Sequence, residues 1–379
     1  MKPLRVGIDA SALRDFRGGG INYYIFYLLD ELVKLKSDCQ FFFYVPKISG
    51  KVSHFARYPN VTFREVPFLS FKNILWRNST LPFLLWKEKI DVFWITNFYL
   101  SFVIPKRVKR ILTIYDFVSI LFPQTVTFLH GIYHRSITRG NLKRADYRVV
   151  ISEGTGKRLK ELFGLDYDAV VYPPHKTGVV YKEKSVLDPF LAVQGLEYNN
   201  YLVSVSTWEP RKNFLLLTRI YCKAIETYGL EKVMPMVIVG GGGWRNRQMI
   251  KEFEAAREKY PTHFKIVGRV DDGELALYLS GARFYVALSV YEGYGMPIAE
   301  ARRCRTPVIC MDVPEMREAA ENDAIFVTSE TVEEALPKMM LKKEVSGLEK
   351  KPFKLTYPTN AESAAKLAAI LSKIQEASV

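Results

Sequence analysis

FYVALSVYEGYGMPIAEARR, residues 284–303, carries a strand, a loop and the start of a helix in one short run. Residues 284–289 form a continuous apolar stretch of the kind that lies buried on both faces of a parallel sheet. Glycines follow at 293 and 295, and Pro297 suits the first position of a helix. Glu292 falls in the loop and Glu300 in the first helical turns. With that placement the amides of 293–296 face a phosphate at the helix N-terminus, and the two carboxylates take hydroxyls on either side of it. A plainer alternative stands beside it: Glu300 complements the helix dipole and Glu292 is a turn residue.

The strand-into-helix pattern recurs outward in both directions. In the first half, apolar runs at 4–10, 39–46, 91–96, 110–116, 147–152 and 169–174 are interleaved with helical patterns such as 21–36. In the second half, runs at 201–206, 236–242, 264–270, 284–289, 306–310 and 324–328 alternate with helices near 213–227 and 273–281. Strands alternating with helices predict doubly wound parallel sheets. The pattern restarts after the polar, proline-bearing KEKSVLDPF (182–190), which sets the expected boundary near residue 188. The fold class read here is α/β, with one Rossmann-like domain over 1–187 and a second over 188–360. Such sheets bind ligands beyond the carboxyl ends of their strands.

The chain of 379 residues suits about two domains. Its apolar (48%) and charged (25%) fractions are those of an ordinary globular protein. No apolar run reaches the ~18 residues that span a bilayer. MKPLRVGIDAS shows no apolar signal region, and Cys39, Cys222, Cys304 and Cys310 show no metal-ligand spacing. The expectation is a cytoplasmic protein with reduced thiols and no metal. Residues 1–190 hold 29 Lys+Arg against 16 Asp+Glu, whereas 191–379 hold 25 against 24. The charge therefore points to an anionic partner for the first half. In FLSFKNILWRNSTLPFLLWKEK (68–89), Trp76 and Trp86 stand beside Lys72, Arg77, Lys87 and Lys89. That mixture suits an anionic membrane surface; it equally suits an amphipathic helix packed on its own domain. No nucleic-acid recognition motif accompanies the charge.

The loops after the strands hold the candidate chemistry. Gly18, Gly19 and Gly20 precede a helix and let backbone amides approach an anion, or form a plain flexible turn. Tyr115 and Asp116 end a strand, where Asp116 faces the expected ligand site or caps a helix. In STWEPRKNF (206–214), Arg211 and Lys212 stand at a helix N-terminus, where cations are unfavourable. A diphosphate satisfies both, by the guanidinium fork and by the ammonium; the alternative is a solvated basic turn. Gly240 to Gly243 permit close backbone approach. Gly268, Arg269 and Val270 could present backbone groups to a base edge.

These segments, in this order, resemble the family-4 retaining glycosyltransferases of GT-B fold. YEGYGMPIAEA resembles their E-x7-E motif, and the GGG loop, TIYDF (113–117), STWEPRKN (206–213), VGRVDDGEL (267–275) and RADYRVVISEGTGKRL (144–159) are similar to their other segments. The resemblance implies two domains facing across a cleft, with a final helix near 361–376 crossing back to the N-terminal domain. It implies a nucleotide-sugar donor held by the second domain and an acceptor entering from the first. Arg211 and Lys212 would hold the diphosphate, and Glu300 the ribose. Glu292 and the backbone of Gly293, Tyr294, Gly295 and Met296 would hold the sugar. Gly20, Ser206, Thr207, Gly241, Arg269 and Val270 would complete the donor site, and Tyr115 and Asp116 would stand at the reacting centre.

The implied reaction is retaining, free of metal and cofactor, with the leaving phosphate helping to deprotonate the acceptor. Both glutamates would then be ordinary ionised acceptors without shifted pKa values. Two positions depart from the family pattern. Many relatives have His-Asp where this chain has Tyr115-Asp116, and often a glycine where it has Ser206. The TIYDF and EPRKN context is most similar to mannosyltransferases of surface-polysaccharide assembly. It implies GDP-mannose as donor, a lipid-linked glycan or polysaccharide as acceptor, and attachment to the inner face of the cytoplasmic membrane. A UDP-sugar or deoxyhexose donor, and a non-catalytic nucleotide- or glycan-binding protein, are the alternatives.

Overall fold

The computed structural model describes residues 2–13, 20–48, 50–66, 78–96, 101, 103–123, 138–243, 246–342, 350 and 358–377. Two parallel sheets organise them. The first contains β1 (Arg5–Asp9), β2 (Gln40–Val45), β3 (Val61–Glu65), β4 (Val92–Ile95), β5 (Lys109–Ile114), β6 (Tyr147–Val150) and β7 (Ala169–Val170). The second contains β8 (Leu202–Val205), β9 (Met236–Val239), β10 (Phe264–Gly268), β11 (Phe284–Ala287), β12 (Val308–Met311) and β13 (Ile325–Val327). Their orders are β3-β2-β1-β4-β5-β6-β7 and β10-β9-β8-β11-β12-β13. Each sheet therefore reverses direction once, between β1 and β4 and between β8 and β11, at the switch point where open α/β sheets leave a crevice.

The apolar runs become central strands because both faces are covered. β4, β9, β11 and β12 are buried at every position. β3 was not expected from the sequence. It lies at the sheet edge, its VTFRE is half-exposed, and polar residues break any apolar run that would have marked it.

The chain divides into two compact units. The first takes the described residues through Leu121, then 138–175 and the C-terminal helix; the second takes Phe122 and Pro123 and then Lys176–Lys342 with Lys350. The division thus falls earlier than residue 188. KEKSVLDPF is no linker: helix Lys184–Gln194 runs through it, with Pro189 inside, and buries Leu187 and Leu191 against helix Asp272–Gly281. The C-terminal helix Asn360–Glu376 starts on a capping box, Thr359 with Glu362. It packs on helix Gly20–Leu35 of the first unit, where Lys36 Nζ reaches Ser372 Oγ at 3.2 Å. Among the described residues no helix is long and apolar enough to cross a membrane.

Candidate functional site

In the second unit, the ends of β8 and β11 bring the basic turn and the glutamate loop together. After β8 the chain makes a 3-10 turn, Pro210–Lys212, and Asn213 takes a left-handed conformation (φ 58°) before helix Phe214–Tyr228 begins. Asparagine tolerates that conformation better than most residues, so the turn can close sharply. Val290 N donates to Arg211 O at 2.9 Å, fixing the turn beside the loop after β11. Arg211 Nη1 donates to Glu292 Oε2 (2.7 Å) and to Tyr291 O (3.2 Å), and its Nε to Glu209 Oε2 (2.9 Å). Lys212 Nζ donates to Glu292 Oε1 at 2.5 Å. Glu292 and Glu209 are both buried.

Burial by itself raises the Glu292 carboxyl. The Lys212 and Arg211 charges outweigh it and hold the group at about 2. Lys212 is pushed down from its ordinary value by burial and by the neighbouring Arg211, against the pull of Glu292. Burial raises Glu209 despite its two cationic neighbours. The expectation that neither glutamate of the motif needs a shifted pKa fails for Glu292. Its carboxylate is the direct counterion of both cations, a contact that spacing along the chain does not reveal.

The glycine loop after β9 is built for backbone approach. Gly240 (φ 124°) and Gly243 (φ 96°) pass so near the 206–208 strand end that a Cβ would stand 2.0 Å from Ser206 O and 2.1 Å from Trp208 O. A Cβ added at Gly241 would meet nothing within 4 Å. Gly242 lies against the Arg269 guanidinium, at 2.9 Å from an added Cβ, which joins the ends of β9 and β10. Arg269 is exposed and Val270 half-buried. Thr207 O accepts from Glu209 N at 2.9 Å. Ser206, Lys212, Tyr285, Ser289, Glu292 and Pro297 line a pocket at the ends of β8 and β11.

Gly295 (φ 106°) precedes helix Met296–Arg303, with Pro297 in its first turn. A side chain there would crowd Ala319 Cβ at 3.2 Å, so only glycine suits both the angle and the space. Tyr294 is buried. Glu300 lies one turn into the helix and pairs through Oε1 with Lys176 Nζ at 3.0 Å; Lys176 also reaches Asp272 Oδ1 at 3.6 Å. Lys176 was not singled out from the sequence. It lies far from Glu300 along the chain, and nothing local marks it.

Three expected site residues lie in the first unit, and the structure changes the reading of two. Tyr115 is a core residue. Its hydroxyl donates to Thr96 O at 2.9 Å, its ring meets Tyr24 edge-on at 5.3 Å, and burial raises its pKa well above the ordinary value. Its hydroxyl is spent inside the fold, so a catalytic role for it is withdrawn. Asp116 Oδ1 accepts from Val118 N at 3.0 Å, a local turn just ahead of the short helix Val118–Leu121. Gly20 opens helix Gly20–Leu35; Gly18 and Gly19 lie outside the described residues. Among the described residues, no group of three or more His, Cys, Asp or Glu side chains is arranged to hold a metal ion.

Residues 192–350 match the family model of glycosyl transferases group 1. The chain is 28% identical over 233 residues to an O-antigen chain mannosyltransferase B of Escherichia coli, which covers 59% of this chain and 57% of that protein. It is 24% identical over 226 residues to the O-antigen chain mannosyltransferase RfbU of Salmonella typhimurium, over 59% of this chain and 58% of that protein. The matched regions thus span little more than half the length of these relatives. Among solved structures, a sucrose-phosphate synthase from Thermosynechococcus elongatus superposes with a TM-score of 0.68 at 15% identity, over 99% of this chain and 96% of that one. The fold is the two-Rossmann-domain GT-B class.

Proposed function

We propose that this chain, whose residues 192–350 match the family model of glycosyl transferases group 1, is a retaining glycosyltransferase that moves a hexose from a nucleotide sugar to a glycan acceptor. The observation that carries the reading is the ion-pair cluster of half-buried Arg211 and Lys212 with buried Glu292 at the β8–β11 switch point. Two cations held together at one strand end fit a diphosphate, whose negative charge grows as it leaves. Glu292 is their counterion in the ligand-free protein. When the diphosphate takes over the cations, the Glu292 carboxylate is released to accept sugar hydroxyls. Glu300 accepts the ribose hydroxyls, with Lys176 holding its other oxygen.

In the reaction the bond from the anomeric carbon to the diphosphate oxygen breaks. The acceptor oxygen bonds to that carbon on the same face, and its proton passes to the departing phosphate. Backbone amides of Gly293 to Met296 and the open Gly241 flank the donor, and Ser206, Thr207, Arg269 and Val270 line its nucleotide end. Gly20 and Asp116 belong to the acceptor-binding unit.

The donor is GDP-mannose and the acceptor a lipid-linked glycan or polysaccharide; the two relatives named as O-antigen chain mannosyltransferases support mannose as the sugar. UDP- and deoxyhexose donors are the alternative. Work at the inner face of the cytoplasmic membrane fits the basic first half. Nucleotide release from a panel of GDP-, UDP- and dTDP-sugars tests the reading: GDP release from GDP-mannose is expected, and release from none of them sinks it. A second reading, nucleotide or glycan binding without turnover, draws on the committed Tyr115 hydroxyl. Tight nucleotide binding with no transfer to any acceptor would favour it.

A further inference from the structure

We propose that Glu209 is a positioning residue for Arg211: it keeps the guanidinium aimed while the donor diphosphate replaces Glu292 as the counterion. The proposal rests on the reading that Arg211 and Lys212 hold that diphosphate. Arg211 is held from two sides. Its Nη1 donates to Glu292 Oε2 (2.7 Å) and to Tyr291 O (3.2 Å), both in the loop after β11. Its Nε donates to Glu209 Oε2 (2.9 Å), in the same turn after β8 as Arg211 itself. Donor binding ends the Glu292 contact, because that carboxylate passes from the cations to the sugar. An arginine stem released there regains rotamers, and its planar fork loses the alignment that paired N–H bonds to a phosphate require.

Glu209 is placed to prevent that release. It is buried, 6% exposed, and its backbone is fixed on both sides. Glu209 N donates to Thr207 O (2.9 Å), Glu209 O accepts from Lys212 N (3.0 Å), and Pro210 opens the 3-10 turn. The carboxylate is not spent on the turn it precedes, since its side chain makes no capping bond there. The charged groups whose fields reach it are Arg211 and Lys212 on its own turn and Glu292 from the loop after β11. Lys212 turns its ammonium to Glu292 Oε1 (2.5 Å), whereas Glu209 pairs with Arg211. Breaking a buried ion pair leaves a charge without compensation, so Glu209 keeps its partner when the ligand arrives. The two carboxylates therefore divide their roles. Glu292 spans both cations and is displaced; Glu209 occupies the Nε corner and leaves the Nη side to face the diphosphate.

The test is a double-mutant cycle on steady-state nucleotide release from the full chain, with Glu209→Ala, Arg211→Ala and both together, each checked for folding by circular dichroism. Glu209→Ala should lower kcat roughly 10- to 100-fold and change KM for the nucleotide sugar by no more than about threefold, because alignment matters most where charge grows on the leaving group. Glu209→Met fills the same space without an acceptor for Nε and should lose as much, which covers the case of an alanine variant that does not fold. In the Arg211→Ala background, removing Glu209 should change kcat by less than about twofold, since nothing is left to position. Glu209→Gln keeps an oxygen acceptor for Nε and should recover most of the loss. Parent-like kcat in folded Glu209→Ala or Glu209→Met overturns the proposal. So does a loss of full size in the Arg211→Ala background, or a glutamine variant as impaired as alanine. Arg211→Ala alone separates the two levels: parent-like release there sinks the diphosphate reading itself, whereas impaired release with a parent-like Glu209→Ala sinks only the positioning role.

Discussion

At the carboxyl ends of β1, β4 and β5, several polar side chains of the first unit are tied to nearby backbone groups. Thr96 Oγ1 donates to Asp9 O, Tyr115 donates to Thr96 O, Asp9 Oδ1 accepts the Ser11 amide and Asp116 accepts the Val118 amide. At the ends of β8 and β11 in the second unit, the same positions of the same topology hold a charged cluster. One set is built from hydrogen bonds to backbone groups and the other from ion pairs whose cations an anionic ligand can claim. The topology supplies a crevice in each sheet, but side-chain chemistry decides which crevice can carry a reaction.

The largest effect should come from removing a cation of the second cluster. Lys212→Ala should lower the nucleotide-release rate by roughly 100- to 1000-fold, the scale of losing one transition-state charge donor. Steady-state kinetics on the folded variant checks this, and near-parent rates would erase the contrast between the two crevices.

Acid should expose the same cluster. Glu292 has its folded pKa held at about 2 against 4.5 for the free group. Its contribution to stability is therefore full above about pH 4.5 and lost as pH falls through 2, at most about 3 kcal/mol. Urea unfolding across that window should show the loss in the parent, and Glu292→Gln should flatten it.

Gly240→Ala places a Cβ against Ser206 O at a left-handed φ, so unfolding free energy should fall by about 1–3 kcal/mol. Donor affinity, measured by titration calorimetry, should fall with it. Tyr115→Phe should do least. It removes one hydrogen bond to Thr96, costing about 1 kcal/mol of stability with transfer activity nearly unchanged. A large loss of activity in that variant would break the comparison from the other side.

Much of this architecture was legible in the residues. Continuous apolar runs such as MVIV and FYVA fit strands buried on both faces, and their alternation with helical periods argues for parallel pairing. The glycines and proline of 293–297 located a helix start. β3 escaped because an edge strand with one face in solvent need not be apolar. The helix through KEKSVLDPF escaped because its two buried leucines are hidden among polar neighbours.

Local sequence determined the elements, since propensity, glycine geometry and burial period act over a few residues. It also marked the residues proposed for the donor site, Arg211, Lys212, Glu292 and Glu300. Tertiary structure alone decided who faces whom. Glu292 answers to Arg211 and Lys212 across the switch point, Glu300 to Lys176, and Tyr115 to Thr96. Those pairings arise where strands distant in the chain end side by side, and electrostatics and desolvation act through space rather than along the sequence.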